Sequence, residues 1–430
     1  MSKAENGCKK AVITILGIQG GIVNKDGRAV IFDYSHKPSY RFENDPQSKR
    51  EYFNTLELLI DTFGDKGYEI VPIYTKEAKL FNQEVLQKYG QSIAFDDRYL
   101  IEDEKNFDEI FSIYNVIIER YDKVIVDVSH GFRHLPLLML VELMMQNFEN
   151  PEKIEAILFA KQIVAHTKET KGEYEIIDLK DYVELSNIAF LLTTFDKNYT
   201  VASHITSKKY QSLIESMNSF SNDIMALSLN NLFTQSSRRL IKELGKIENV
   251  SIRKQAQALK KHIEETFDYK GKKRYQTYFD LAKNLFEKKY MFLSLSLLNE
   301  SARLFVKSKF KERHPQIMQK VEKHFTYHGK EDLYKIGDFV KKLTWKNYSK
   351  DVEFLSKQEY KTLQKSIPES IKKLREFKGV PNLTKSKDIL SHIAHTRNDL
   401  AHANSRGSFA DIEKSIQTLL DEFEKIMKER

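Results

Sequence analysis

The stretch Lys123–Arg133, KVIVDVSHGFR, decides how the first half of the chain folds. Its first part, Lys123–Val128, is mostly β-branched, which predicts a buried strand. The polar segment Ser129–Arg133 follows at once, and the apolar run Leu135–Phe148 has the length and composition of a helix. The order of strand, polar turn and helix predicts one unit of an α/β domain.

The same alternation continues on both sides of this stretch. We predict strands at Ala11–Ile18, Ala29–Tyr34, Glu69–Tyr74, Ile154–Ala160 and Tyr174–Leu179, and helices at Lys49–Phe63 and Ile101–Tyr121. The turn Asn24–Gly27 predicts a hairpin-like connection. Apolar strands that alternate with helices indicate a mainly parallel sheet covered on both faces. Ligands of such sheets bind beyond the carboxyl ends of strands where the strand order switches, and the candidate ends are Gly17–Gly21 and Ser129–Arg133.

The second half has a different character. Strand-like runs nearly disappear after Asp181, and the boundary lies near Leu179–Asp196. We predict amphipathic helical segments at Ala226–Leu244, Lys254–Phe267, Tyr275–Phe310 and Ala410–Met427, with turns or loops at Gly271–Arg274 and Trp345–Lys350. The apolar segment Tyr290–Phe305 is expected to pack against the final helix in a small antiparallel bundle. The predicted fold class is α/β plus all-α.

Composition and charge narrow the class of protein only slightly. The 69 Lys and Arg residues against 61 Asp and Glu give a net charge of +8, which favours anionic partners without naming one. The single cysteine, Cys8, excludes an intrachain disulfide and indicates a reducing compartment. The longest apolar stretch, Leu135–Met145, contains Glu142 and is shorter than the ~20 residues of a membrane span. We expect a cytoplasmic protein without a signal peptide or a membrane partner.

Three residues near the C-terminus form a candidate catalytic group. Arg397, Asn398 and His402 lie in Ser391–Asn404, SHIAHTRNDLAHAN, which we predict to be helical. Asn398 and His402 share one helix face, whereas Arg397 lies about 140° around from His402, so its side chain must curl to join them. A second copy of the chain on a two-fold axis would bring another Arg and His into the same cleft. Alternatively these are surface polar residues, with Arg397 paired to Asp399 or a neighbour.

The residue types of this group suit RNA cleavage without a metal. A histidine can move a proton near neutral pH, an arginine can hold phosphate oxygens, and an asparagine can orient either of them. His392 and His395 flank the group, but no Cys or carboxylate cluster completes a metal shell, so we predict no metal site.

Polar and glycine residues at the predicted strand ends form a candidate ligand site. Gly20, Gly21 and Gly131 permit close approach of a ligand to the backbone, and N–H groups at strand-to-helix turns bind anions. Ser129 or His130 could bond a phosphate or a ribose. The alternatives are helix capping for Ser129 and packing at the strand end for His130.

One further residue at these ends is open to two interpretations. Arg133 could contact the same ligand, or it could form a structural ion pair with Asp127 or another carboxylate.

Two motifs resemble known families. Arg397–His402 resembles the R-x4–6-H motif, with Asn after the Arg, of HEPN-domain ribonucleases. The segments Gly17–Gly20 and Asp127–Arg133 resemble the CARF domain of CRISPR-associated type III ancillary ribonucleases. Together the resemblances span nearly the whole chain. They imply a Rossmann-like CARF sensor domain at residues 1–180, a helical connector at 181–274 and a helical-bundle HEPN domain at 275–430.

The resemblance also implies a function. Members of that family are homodimers whose CARF domains bind a cyclic oligoadenylate made by the CRISPR interference complex. Their paired HEPN domains then cut single-stranded RNA without a metal, and leave 2′,3′-cyclic phosphate and 5′-hydroxyl ends. Arg397, Asn398 and His402 would be catalytic. The residues near the ligand would be Gln19, Gly20, Ser129, His130, Gly131 and Arg133.

The expected setting is antiviral defence with allosteric activation, no cofactor and no stable DNA complex. A tetra-adenylate ring is favoured over a hexa-adenylate ring. The CARF domain is also a candidate for cleaving its own activator, since in-line attack needs positioning donors such as Ser129, His130 or Thr14.

A function from another class is a nucleotide-sensing regulator without enzymatic activity. Its helical half would bind nucleic acid or a protein partner. Ser237–Leu244 and Gln255–Phe267 are basic enough for this interpretation, but neither shows a clear helix-turn-helix turn.

Overall fold

The structure is a computed structural model that describes residues 8–19, 21–31, 37–103, 105–131, 134–167, 170–267, 270–345, 352–376, 388–402 and 407–428. The strands are β1 (Lys10–Ile15), β2 (Gly21–Val23), β3 (Ala29–Ile31), β4 (Ser39–Phe42), β5 (Asp45–Glu51), β6 (Tyr68–Ile73), β7 (Lys123–Asp127), β8 (Ile154–Val164), β9 (Glu173–Asp178), β10 (Thr326–Tyr327) and β11 (Lys330–Glu331). The helices are α1 (Thr55–Phe63), α2 (Lys76–Lys88), α3 (Phe107–Arg120), α4 (His134–Glu149), α5 (Lys180–Asn198), α6 (Gln211–Met225), α7 (Leu229–Asn231), α8 (Ser237–Gly245), α9 (Val250–Phe267), α10 (Arg274–Glu287), α11 (Met291–Arg313), α12 (Pro315–His324), α13 (Leu333–Trp345), α14 (Lys357–Lys365), α15 (Glu369–Glu376), α16 (Ile389–Ala401) and α17 (Phe409–Lys428).

The main sheet confirms the predicted α/β organisation. Its strand order is β5-β4-β9-β8-β7-β1-β6. The pairs β1–β6, β1–β7, β7–β8 and β4–β9 are parallel, while β8–β9 and β4–β5 are antiparallel. The chain leaves β1 for β6 on one side and later returns to β7 on the other, so the strand order reverses between β1 and β7. Their carboxyl ends are therefore the topological switch point, where ligands of open α/β sheets bind.

The central strands are buried on both faces, as predicted. Ile13 of β1 and Val126 of β7 belong to an apolar cluster that also contains residues of α3 and α4. Their neighbours Val12 and Ile125 belong to a second cluster, with Leu59 of α1. Successive side chains of a strand point to opposite faces, so an unbroken apolar run requires cover on both sides.

The N-terminal hairpin is also present. β2 and β3 pair in antiparallel around the turn Asn24–Gly27, where the Gly27 N–H donates to the Asn24 carbonyl at 2.9 Å. The predicted strand Ala29–Tyr34 is β3 as far as Ile31, and residues 32–34 lie outside the described residues.

The predicted helix Lys49–Phe63 was wrong in its first turns. β5 continues to Glu51, and the helix α1 begins at Thr55. Asn54 is the N-cap, and its side-chain oxygen accepts the Glu57 N–H at 3.3 Å. The apolar periodicity extended too far because Tyr52 and Phe53 are buried before the helix starts.

Three elements of the first unit were not predicted. The strands β4 and β5 are short or polar and lie at one edge of the sheet, where alternation of apolar residues is weak. The helix α2 has a largely polar sequence, KEAKLFNQEVLQK, and its N-cap Thr75 accepts the Ala78 N–H at 3.3 Å. These elements depend on tertiary pairing and capping more than on a strong hydrophobic pattern.

The second half is helical, as predicted, but two long segments are interrupted. Ala226–Leu244 contains α7, a π-helical segment at Leu232–Ser236 and then α8. Tyr275–Phe310 is divided into α10 and α11 at Lys289, which has a positive φ of 67°. The spacing of apolar residues continues across both interruptions, so the sequence pattern does not show where each helix ends. At Lys289, a single residue of unusual backbone conformation divides the segment without changing that spacing.

The helix α11 is the centre of the C-terminal bundle. It packs against α10, α16 and α17, which agrees with the prediction for Tyr290–Phe305. Leu298, Phe305 and Phe423 are fully buried where α11 meets α17. Most of the apolar stripe predicted on α17 is buried, while Ile412 is half-buried.

By its contacts the chain divides into two compact units, Met1–Leu192 with Ala202–Ile214, and Thr193–Val201 with Glu215–Arg430. The three-part division at residues 180 and 274 stays a prediction. The predicted loop Trp345–Lys350 follows α13, and residues 346–350 lie outside the described residues. Within the part of the chain that the structure describes, none of the helices is long and apolar enough to cross a membrane.

Candidate functional site

The two predicted strand ends lie against each other at the switch point. β1 and β7 are adjacent and parallel, and a Cβ atom built on Gly17 would be 3.0 Å from the backbone nitrogen of Gly131. Gln19, Ser129 and His130 belong to the same two turns. Gly20 and Arg133 lie outside the described residues.

The buried carboxylate of Asp127 connects the strands and turns at this edge of the sheet through hydrogen bonds. Asp127, only 1% exposed, accepts hydrogen bonds through Oδ2 from Thr14 Oγ1 at 2.8 Å and from Thr55 Oγ1 at 3.4 Å. Its Oδ1 accepts the Ser129 N–H at 3.1 Å and the Ser129 hydroxyl. The carboxylate thereby joins β1, β7 and the start of α1. Because Thr14 donates its one hydroxyl hydrogen here, that hydrogen is not directed at a ligand.

Ser129 holds the turn after β7. Its Oγ donates to Asp127 and accepts the Ala160 N–H of β8 at 2.8 Å. The alternative role as a helix cap is not observed, since the next residues, His130 and Gly131, are not helical and Gly131 has a φ of +99°. With its hydrogen donated and one lone pair occupied, Ser129 positions the turn.

Gln19 and His130 each have one buried polar atom without a hydrogen-bond partner among the described residues. Gln19 Oε1 and His130 Nε2 are buried, and neither has a hydrogen bond to any described residue. Burial lowers the pKa of His130, against an opposing effect of the Asp127 charge, so the imidazole is neutral at neutral pH. A buried polar group without a partner costs about 1–3 kcal/mol. A bound ligand that pairs with these atoms would remove that cost.

Two glycines are required here for different reasons. Gly131 has a φ of +99°, and a Cβ atom on it would be 2.6 Å from Ile15 Cγ2. Gly21 has an ordinary φ, but its Cβ would be 2.2 Å from a ring carbon of Phe81 and 2.5 Å from the Val30 carbonyl oxygen. Gly21 therefore lets the hairpin pack on α2, which is a structural role that the sequence did not indicate.

An asparagine on α2 is a further part of the edge that sequence analysis missed. Asn82 Nδ2 donates to the Gly17 carbonyl at 3.0 Å, and its Oδ1 accepts from Asn54 Nδ2 at 3.1 Å. Asn82 is 1% exposed and fixes the turn after β1. Because α2 itself was not predicted, no sequence signal connected Asn82 with this turn.

Replacing Gly131 with Ala is expected to destabilise the first unit. The new Cβ would combine a left-handed backbone with a clash against Ile15. Gly67→Ala is the matched control, because Gly67 has a φ of +79° but no atom within 4 Å of the added Cβ. Urea unfolding should show a loss for Gly131→Ala that exceeds the control by about 1–3 kcal/mol. Equal losses would show that packing against Ile15 is unimportant.

The candidate catalytic group lies at the end of α16. Asp388 caps the helix by accepting the Ser391 N–H at 2.8 Å. The helix ends at Ala401, and His402 is the C-cap, with its N–H bonded to the Asn398 carbonyl at 3.0 Å. The prediction of a helix is confirmed up to Ala401, while residues 403 and 404 lie outside the described residues.

Arg397 curls toward Asn398. Its Nη1 donates to Asn398 Oδ1 at 3.1 Å, and its guanidinium lies 5.7 Å from the ring centre of Phe292 on α11. The Nε atom is buried and has no hydrogen bond to a described residue. Of the alternative partners, Asp399 forms no ion pair with Arg397 among the described residues, whereas the neighbouring Asn398 is bonded to it. Phe292, which sequence analysis missed, supports the arginine from a neighbouring helix.

The side chains of Asn398 and His402 are exposed, and no described residue forms a hydrogen bond with the His402 imidazole. His392 is 2% exposed and packs inward, whereas His395 is exposed. The site is therefore a surface group in which an exposed amide and an exposed imidazole lie near a half-buried guanidinium.

Comparisons with known proteins find similarity among solved structures. No family model matches the chain, and no curated protein matches it. Among solved structures, the chain is similar to "Enterococcus italicus Csm6 bound to cyclic hexa-2'-fluoro-hexa-dAMP", with 12% sequence identity, 98% of each chain covered and a TM-score of 0.36.

Proposed function

We propose that this protein is an endoribonuclease activated by a cyclic oligoadenylate, acting on single-stranded RNA in type III CRISPR antiviral defence. The observation that carries the proposal is the surface group on α16, in which Arg397 is bonded to Asn398 and the exposed His402 imidazole has no hydrogen bond to a described residue. A surface arginine held by an uncharged amide keeps its full positive charge for an anion.

The cleavage chemistry follows from these three side chains. The ribose 2′-hydroxyl attacks the adjacent phosphorus, and the 5′-oxygen leaves, which gives a 2′,3′-cyclic phosphate and a 5′-hydroxyl. His402 transfers a proton to or from the reacting oxygens. Arg397 stabilises the negative charge that develops on the phosphoryl oxygens, and Asn398 orients the guanidinium through its Oδ1. In a homodimer, the second chain supplies a second copy of the group, so the subunit arrangement sets the activity.

The proposed activator site is the switch point between β1 and β7. Gln19 and His130 provide buried polar atoms without protein partners, suited to a base edge or a ribose hydroxyl. Asp127 and Ser129 hold the two turns in place. If the domain also cleaves its activator, His130 is the remaining candidate to help, since the hydroxyl hydrogens of Thr14 and Ser129 are donated to Asp127.

The test is an RNase assay on the purified protein with cyclic tetra-adenylate, cyclic hexa-adenylate or no activator, with a metal chelator present throughout. We expect cleavage only with one of the rings, and products that end in 2′,3′-cyclic phosphate. Tight binding of a ring without any cleavage would overturn the enzymatic proposal and favour the nucleotide-sensing regulator. The activator recovered afterwards, analysed by mass spectrometry, shows whether the ring has been opened.

A further inference from the structure

A separate cleft lies in the second unit, and none of its lining residues belongs to either of the two candidate sites. Its volume is about 370 Å³. One wall comes from α7 and the π-helical segment that follows it, and the other wall is the first two turns of α10. Its lining includes Phe233, Arg274, Thr277 and Tyr278.

The first wall has an unusual backbone. The chain turns at Leu227, which has a positive φ of 48°, and Leu232–Ser236 is then π-helical. π-helical turns are rare and are frequently found at functional sites. Phe233 lies on this segment, half-buried, with its ring centre 5.9 Å from that of Phe267. The segment therefore contributes a supported aromatic ring to the cleft.

The second wall contains a buried hydroxyl without a partner. Thr277 is 4% exposed, and its Oγ1 makes no hydrogen bond to any described residue. Some buried hydroxyls of the same unit are satisfied, for example Ser294, which donates to the Ala282 carbonyl at 2.8 Å, whereas those of Ser236, Ser296 and Ser415 also have no partner among the described residues. Thr277 differs from these three in lining the cleft. Buried polar groups are normally hydrogen-bonded, so an orphan that lines a cleft indicates a missing partner.

Arg274 supplies a positive charge of fixed orientation. Its Nε and Nη2 atoms donate to Tyr278 Oη at 3.1 and 2.8 Å. The adjacent Lys272 and Lys273 are paired with carboxylates, of Asp280 at 2.8 Å and of Glu312 at 2.6 Å. Arg274 has no carboxylate partner among the described residues, and it is the first residue of α10, where the helix dipole favours an anion.

We propose that this cleft binds a nucleoside monophosphate unit. The phosphate would lie on Arg274 at the start of α10, the base against the rings of Phe233 and Tyr278, and a polar group of the nucleotide on Thr277. Aromatic rings beside an arginine fork are the combination that recognises a base and its phosphate together. The volume falls in the range of small-molecule sites, about 300–1,000 Å³. The unit is either a free mononucleotide or one nucleotide of a single-stranded RNA, and the proposal does not depend on the endoribonuclease activity.

The test is calorimetric binding to the full chain with four probes: 5′-AMP, adenosine, inorganic phosphate and a 2′-O-methyl RNA decamer. We expect 5′-AMP to bind at least about tenfold more tightly than adenosine or phosphate, because it fills both halves of the cleft. Arg274→Ala should weaken 5′-AMP binding by about tenfold or more. Lys273→Ala is the matched control for charge, and it should change the affinity by less than about twofold.

The probes distinguish the two sources of the ligand. Loss of 5′-AMP binding in Arg274→Ala supports a free mononucleotide, whereas an Arg274-dependent effect on the decamer alone supports a strand of RNA. Equal effects of Arg274→Ala and Lys273→Ala, or phosphate binding as tight as that of 5′-AMP, would overturn the proposal.

A second variant separates ligand binding from folding. Thr277→Val removes the orphan hydroxyl at nearly constant volume, so the protein should unfold at a higher temperature while nucleotide binding weakens. Higher stability with unchanged binding would contradict the role of Thr277.

Discussion

Replacing His402 with alanine should lower RNA cleavage by about 10²–10⁴-fold at saturating activator, because the reaction loses its proton-transfer group. The side chain is exposed and no described residue bonds the imidazole, so the fold should be unaffected. Single-turnover cleavage of a labelled RNA measures the effect.

The control for this prediction is another histidine of the same helix. His395 is also exposed on α16, and His395→Ala should change the rate by less than about threefold, as surface substitutions usually do. Binding of the activator should be the same in both variants. A folded His402→Ala protein with full activity would exclude this residue from catalysis.

Replacing Asp127 with alanine should remove about 3–5 kcal/mol from the free energy of unfolding of the first unit. The substitution leaves the hydroxyl groups of Thr14 and Thr55 and the N–H of Ser129 without their acceptor in a buried place. Urea unfolding followed by fluorescence and circular dichroism measures the loss. Activator binding should fall as well, because both turns at the switch point depend on this carboxylate.

An exposed carboxylate of the same unit is the comparison for Asp127. Asp61 accepts hydrogen bonds from Arg50 at 2.9 Å and Tyr52 at 2.5 Å, but 43% of its side chain is exposed. Asp61→Ala should cost less than about 1 kcal/mol. If the two substitutions cost the same, the buried hydrogen bonds of Asp127 do not stabilise the sheet edge as we infer.

Much of the central sheet could be predicted because its strands are buried on both faces. An unbroken apolar run such as Lys123–Val128 requires apolar cover on both faces of the sheet, and β1 follows the same rule. The short strand β4 and the polar edge strand β5 carry no such pattern, and the sequence alone did not indicate them. The helix interruptions at Leu227 and Lys289 were not predicted for a related reason. Each has a positive φ at a residue other than glycine, and such a residue type gives no sign of a turn in the sequence.

The candidate sites were predictable in part. Residue types at the strand ends and the spacing of Arg397, Asn398 and His402 are properties of the sequence, and they were found there. The hydrogen-bond partners that decide the role of each residue could not be identified from the sequence. From the sequence, Ser129 could contact a ligand or cap a helix. In the structure its hydroxyl donates to Asp127 and accepts the Ala160 N–H, so it holds the turn in place.

A sheet-containing first half, a helical second half and the two groups of polar residues follow from the sequence alone, because hydrophobic periodicity and residue chemistry are local properties. The tertiary structure alone brings the turns after β1 and β7 together, lets Asn82 and Phe292 support the two sites, and places Phe233 and Arg274 on the two walls of one cleft. These contacts join residues distant in the chain, and they depend on the strand order and on helix packing.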